Sequence, residues 1–301
     1  MNEALLLLPD FLLIAAGFLI CRYTALNRPV WEATERLVYY LLFPVLLFNA
    51  IVRNPLQPGA MLALVFSGMA VVGCGIVLAY SLGLLRGVDR VAHASGAQTA
   101  FRFNSYIGLA LAERLGGAPA VAAIALVIAF CVPLCNIAAV WPLARHGGQH
   151  FGRELMRNPL ILSTVAGLLG NLLGLSFPEP VAVSLHRVGT AALPLGLMAV
   201  GAGLQLGALR EAPRLATAFL SIRHAVLPLV ALVLVQVLGL PPVQQLVVVA
   251  FAALPTASTC YVLAARLGGH PGFVAGLVTI STLLGMVSVP VALWSLARMQ
   301  G

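Results

Sequence analysis

The sequence predicts an all-α polytopic membrane protein: ten transmembrane helices in two inverted repeats of five, with helices 4 and 9 broken. Three observations predict it. The first is composition. Of 301 residues, 61% are hydrophobic and 9% are charged, whereas about a quarter of the residues in a soluble domain are charged. Apolar runs of about 18 residues or more recur along the chain, which is the length a helix needs to cross hydrocarbon. The second is repetition. Leu-Ala-x-Arg-Leu-Gly-Gly-x-Pro occurs at Leu111–Pro119 and again at Leu263–Pro271, a shift of 152. The third is interruption. The second copy lies in AALPTASTCYVLAARLGGHPG, where Pro255, Thr256, Ser258 and Thr259 break an oily segment.

In chain order, spans are expected at roughly 4–21, 37–53, 60–85, 92–115 and 119–143. A second set follows at roughly 158–174, 185–207, 214–238, 243–267 and 272–297. The first span begins MNEALLLLPDFLL, with no basic stretch and no clean small-residue cleavage site, so it is read as retained rather than as a signal peptide. The 19 Pro and 29 Gly suit kinked, closely packed membrane helices. Short alternating segments, the mark of a transmembrane barrel, are absent. The loop around 145–158, RHGGQHFGRELMRN, divides the chain into a first repeat at 1–145, a cytoplasmic linker at 146–157 and a second repeat at 158–301.

Other landmarks keep nearly the same shift. PDFLLIAAG at 9–17 parallels PLILSTVAG at 159–167, Pro44 parallels Pro194, and Trp141–Arg145 parallels Trp294–Arg298. Because five is odd, two five-span copies enter the membrane from opposite sides. Inverted repeats are characteristic of secondary transporters, whose sites lie at mid-membrane where the repeats meet. All 17 basic residues are arginine. With the N-terminus outside, eleven of them fall in cytoplasmic loops and four outside, with Arg102 and Arg223 inside spans. The positive-inside rule therefore expects both termini outside, in a cytoplasmic (inner) membrane. The net charge of +8 is read as topology and not as nucleic-acid binding.

A proline inside a helix removes a backbone hydrogen bond. Non-helical backbone at membrane depth is tolerated only within protein or beside a water-filled cavity. Pro255 and the hydroxyls after it fit such a break, and in the first copy Asn104 and Ser105 stand opposite Thr256 and Ala257. Two symmetry-related breaks bring half-helix ends together: N-terminal ends have free N–H groups that suit an anion, and C-terminal ends have carbonyls that suit a cation or a proton donor. Packing of a simple kink is the other account of Pro255. Arg102 lies twelve residues from both Arg90 and Arg114, hence near mid-membrane, with no acidic residue at similar depth. It is either a partner for a substrate carboxylate or a snorkelling side chain. For Arg223 and His224, only nine residues beyond Arg214, snorkelling to the inner surface is the expectation, with substrate contact as the second account. The cysteines, Cys21, Cys74, Cys131, Cys135 and Cys260, all fall in or beside apolar spans and are read as free core thiols, and no metal site is expected.

RNPLILSTVAGLLGNLLGLSFPEPVAVSLHRVGTAALPLGLMAVGAGL at 157–204, the Asn104-x-x-x-Gly108-Leu109 stretch and the Leu254-Pro255-Thr256-Ala257 stretch together resemble bacterial members of the auxin efflux carrier family, over essentially the full chain. The resemblance implies ten spans with outside termini and a crossing of broken helices 4 and 9, as in the bile-acid symporter and sodium/proton antiporter folds. It implies one bundle moving against a scaffold of spans one, two, six and seven, and transport of small organic anions such as carboxylates. By position it puts Asn104 and Pro255 at the crossing. The family usually carries proline after Gly-Leu in span four; here Ala110 stands there, so the position of that break is open.

The functional expectation is a secondary transporter for a small organic anion, working by alternating access. The expected substrate-binding residues are Arg102, Asn104, Ser105, Pro255, Thr256 and Ser258. Sodium- or proton-coupled symport is a variant of the same reading. A membrane sensor without transport is the reading of another class. No zinc-protease motif, aspartate pair or nucleophile elbow marks an enzyme. Expected partners are the organic anion and the lipid bilayer, with homodimer formation left open; no cofactor is expected.

Overall fold

The computed structural model describes residues 3–53, 58–140, 159–204, 212–266 and 268–300. The expected linker at 146–157 and the Trp141–Arg145 landmark lie outside them. Every regular element among the described residues is a helix, apart from an isolated β-bridge.

Helix α1 (Glu3–Tyr23) leads to α2 (Arg28–Leu37), a π turn (Val38–Leu42) and α3 (Phe43–Arg53). The last three form one rod. The π turn lies just ahead of Pro44, which has no N–H to return to the preceding turn, so the ladder widens there. Helix α4 (Pro58–Ser81) follows, then α5 (Arg90–Gly96), α6 (Gln98–Phe101) and α7 (Ser105–Val140). Asp89 starts α5 by accepting the Ala92 N–H at 2.7 Å.

The second half holds α8 (Pro159–Leu172), α9 (Glu179–Thr190) and α10 (Ala192–Ala202). Helices α11 (Pro213–Ser221) and α12 (Leu227–Val237) are joined by a second π turn (Ile222–Val226), again ahead of a proline, Pro228. Helices α13 (Pro242–Ala253), α14 (Cys260–Arg266) and α15 (Pro271–Gln300) complete the chain.

Six rods are long and apolar enough to cross a membrane: Arg28–Arg53, Met61–Leu84, Ser105–Ala139, Glu179–Ala202, Pro213–Val237 and Pro271–Gln300. Phe11–Tyr23, Leu162–Leu172 and Pro242–Ala253 are shorter apolar helices. The ten expected spans therefore do not all appear as unbroken rods. Interruptions at 102–104 and 254–259 cut two of them into pieces. The later piece of the first cut is the start of α7, within which two helices meet at a kink at Gly117 (φ 58°, ψ −153°), a conformation open to glycine. The repeated Gly-Gly phrase has a positive-φ glycine in the second copy too, Gly268 (φ 71°).

Two close crossings frame the interior. Helix α1 packs on α10 and α3 packs on α8. At the first, a Cβ on Gly17 would fall 1.9 Å from the Met198 carbonyl oxygen, and one on Gly201 would fall 1.8 Å from that of Ile14. Only glycine permits backbones to approach so closely, as at small-residue interfaces of membrane helices. At the second, Asn171 Nδ2 donates to the carbonyls of Ile51 and Val52 at 2.9 and 3.1 Å. Phe43, Phe101, Phe219, Phe251 and Phe273 fill the interior, while Leu62, Val77, Leu172 and Val237 are exposed as side chains facing lipid would be.

Candidate functional site: a backbone crossing beside a polar cavity

The two interruptions have different local causes. Pro255 disfavours helical backbone at the residue before it. Leu254 is accordingly extended (φ −56°, ψ 143°) and α13 stops at Ala253. The other interruption contains no proline. Arg102 leaves the helix (φ −77°, ψ 132°), and Asn104 opens the next one. Its Oδ1 accepts the N–H groups of Tyr106 at 3.0 Å and Ile107 at 3.3 Å, as an N-cap does. Ala110 sits inside α7, so the break lies before it, at 102–104.

The two interruptions meet. The Asn104 N–H donates to the Pro255 carbonyl at 2.9 Å, and the Ala257 N–H donates to the Arg102 carbonyl at 3.2 Å. Together these form an antiparallel bridge between Phe103 and Thr256. The Phe103 ring meets Phe251 edge-on, centroids 4.5 Å apart. The Thr256 N–H donates to Ser281 Oγ at 2.8 Å, and its hydroxyl donates to the Thr99 carbonyl at 2.7 Å. Each break thus supplies partners for groups that the other would leave bare in hydrocarbon.

A cavity of about 910 Å³ opens beside the crossing. Of the expected site residues, Arg102, Asn104, Ser105 and Ser258 line it. Pro255 and Thr256 do not; they form the crossing behind it, and Thr256 is fully buried. Arg102 donates to Gln98 Oε1 at 2.9 Å and to Asn136 Oδ1 and Thr259 Oγ1, both at 3.3 Å. No carboxylate among the described residues pairs with it. Asn104 is 3% exposed, and its Nδ2 is buried with no hydrogen-bond partner.

Helix α2 contributes Arg28, Glu32, Glu35 and Arg36 to the same cavity. Arg28 pairs with Glu32 at 3.3 Å and with Glu35 at 3.1 Å. Three arginines face two glutamates, so the lining carries net positive charge. Sequence reasoning missed the α2 group, because its charges read as loop topology. It also missed Gln98 and Asn136, and it named Thr259 in the break without placing it in the site. Asn136 did leave a signal, as an amide in an otherwise apolar span beside Cys135.

One expectation is corrected. Arg223 does not snorkel to the inner surface. It is 1% exposed and donates to the carbonyls of Leu254 at 2.5 Å and Phe251 at 3.3 Å. Those carbonyls, at the interrupted end of α13, draw the side chain inward. Nor does His224 reach the surface; its ring lies 2.8 Å from both Ser281 Oγ and Ser288 Oγ.

The N-terminal end of α7, Asn104 and Arg102 border one space. A polytopic membrane protein with interrupted helices crossing beside a cationic cavity belongs to the class of membrane transporters. Residues 144–293 match the family model described as Membrane transport protein. Over that stretch, the second half of the chain, it is similar to that family, the family of the auxin efflux carriers. A relative from Rhizobium meliloti (strain 1021), described as "Putative malonate transporter", is 26% identical over 297 residues, covering 94% of this chain and 92% of the relative.

Proposed function

We propose that this chain is a secondary transporter that moves a small carboxylate across the cytoplasmic membrane by alternating access, with malonate the first anion to try. The observation that carries the proposal is the bridge between Phe103 and Thr256 with a cationic cavity beside it. Arg102 holds the carboxylate; Asn104 Nδ2, Ser105 and Ser258 complete its hydrogen bonds. Pro255 and Thr256 hold the two chain segments in register. The relative's name supports a carboxylate as cargo.

The proposed architecture is ten spans in mirror-related halves, and the packing supports it. The repeat pairs span one with span six and span two with span seven. Under that exchange the α1–α10 contact becomes the α8–α3 contact, and both are close crossings. With both termini outside, α2 and its charges lie on the cytoplasmic side, so the cavity opens inward. Reorientation then carries the crossing and α7 past the α1, α3, α8 and α10 scaffold. The stacked rings of Phe43 and Tyr106, 4.8 Å apart, lie on that sliding surface.

The test is uptake of radiolabelled mono- and dicarboxylates into proteoliposomes by wild type, Arg102→Ala and Asn104→Ala. We expect wild-type uptake of malonate and at least a tenfold loss in each variant. Normal uptake by both variants would refute the site. Omitting sodium, or collapsing the pH gradient, reads out coupling in the same assay.

A further inference from the structure

Arg223 takes no part in lining the cavity, yet it is among the largest fully buried side chains in the molecule. A buried cation is costly unless its charge is met. No carboxylate among the described residues meets it. Its Nε and Nη2 instead meet the Leu254 and Phe251 carbonyls at 2.5 and 3.3 Å. These groups lie where α13 is cut short by Pro255, and a helix C-terminus carries roughly half a negative charge. Uncompensated, that charge would stand beside the crossing and repel an anion held there. The other rod that stops at the crossing, α6, ends at Phe101 with Arg102 next in the chain. Of these two rods, only α13 has a guanidinium meeting its end carbonyls; Arg102 donates to the side chains of Gln98, Asn136 and Thr259.

The Arg223 guanidinium is held in place from both sides. Arg223 sits in the π turn Ile222–Val226, a widened geometry frequent at functional sites. The next residue, His224, contacts Ser281 Oγ at 2.8 Å, and that oxygen accepts the Thr256 N–H at 2.8 Å. Consecutive residues therefore bracket the break, one on each side of Pro255. Leu254, whose carbonyl Arg223 meets, is followed by Pro255, whose own carbonyl accepts the N–H of the cavity residue Asn104.

We infer that Arg223 is a positioning residue of the anion site: its guanidinium cancels the negative end of α13 and sets how far the site favours a dianion over a monoanion. The inference rests on the reading of the crossing as a carboxylate site. It goes beyond that reading by assigning charge selectivity to a residue that touches neither cavity nor substrate.

Interaction with a fixed charge scales with the charge of the ligand. Whatever factor the loss of Arg223 costs a monoanion is therefore squared for a dianion. A change of shape would weaken both anions alike. The experiment measures inhibition of malonate uptake by malonate itself and by its half-amide, in mildly alkaline buffer where both malonate carboxyls are ionised. Wild type is compared with Arg223→Lys, Arg223→Gln and Arg223→Met. Arg223→Lys should keep both inhibition constants within about threefold. Arg223→Gln should weaken the half-amide about fivefold and malonate about twenty-five-fold. Equal factors for the two anions, unchanged constants, or an Arg223→Lys as damaged as Arg223→Gln would each overturn the inference. If Arg223→Gln and Arg223→Met both aggregate while Arg223→Lys stays monodisperse, Arg223 is a folding requirement and the selectivity claim falls. A wild type that moves no carboxylate overturns the functional reading and this inference with it. A wild type that does, with variants of unchanged selectivity, overturns the inference alone.

Discussion

At the residue scale, the wall of the cavity and the frame behind it share a residue. Asn104 belongs to both: it lines the cavity, its Oδ1 caps α7, and its Nδ2 is buried without a hydrogen-bond partner. Asn104→Ala should therefore lower stability by about 1 kcal/mol, the usual worth of a cap, and also weaken malonate binding; thermal unfolding and a binding titration read the two effects apart. Thr256 belongs to the frame alone, its hydroxyl donating to the Thr99 carbonyl. Thr256→Val should cost about 1–2 kcal/mol of stability yet leave malonate affinity within about twofold. A large affinity loss in Thr256→Val would put the threonine in the site itself. The sequence exposed these residues unequally. Pro255 announced its break, because proline has a fixed backbone signature. Asn104 announced only polarity, since capping by an asparagine depends on where the helix starts. Asn136 reaches Arg102 from 34 residues away along the chain, a proximity that only packing creates.

At the element scale, the close crossings are the rigid part. Gly201 meets the backbone of α1, so Gly201→Val should drive α1 and α10 apart. We expect it to elute as aggregate after extraction, while Gly73→Ala, with nothing within 4 Å of its Cβ, elutes like wild type. A monodisperse, active Gly201→Val would mean that the α1–α10 crossing is not tight in the membrane. The repeated Gly-Gly phrase was legible in the sequence as a pair of turns, and Gly117 and Gly268 both have positive φ. The break between spans was legible too: the phrase reads as a turn between two spans, and at Gly117 (φ 58°, ψ −153°) the backbone is far from helical and two helices meet at a kink. The depth of Arg223 was hidden. Counting from Arg214 measures distance along a rod but not which way the π turn points the side chain.

At the scale of the whole molecule, the account needs orientation and a shared site. Eleven arginines in loops on one side against four on the other predict which side is cytoplasmic. An impermeant maleimide applied to intact cells should label Arg187→Cys and spare Arg86→Cys, both at exposed positions. The reverse pattern would invert the topology and turn the cavity outward. The membrane class and the meeting of the two halves were legible because composition and repetition are properties of the chain itself. The shape of the cavity was not, because it is made jointly by α2, the crossing and both ends of α7.

The central claim is that an anion occupies the space beside the crossing, and occupancy can be read directly. Ser258→Cys is placed in a chain whose five native cysteines are replaced by alanine, and its rate of maleimide labelling is followed as malonate is added. The account predicts that malonate slows labelling with a midpoint matching the KM for uptake, and that Arg102→Gln shifts that midpoint at least tenfold. Labelling that stays constant at every malonate concentration, in a protein that transports malonate, would contradict it.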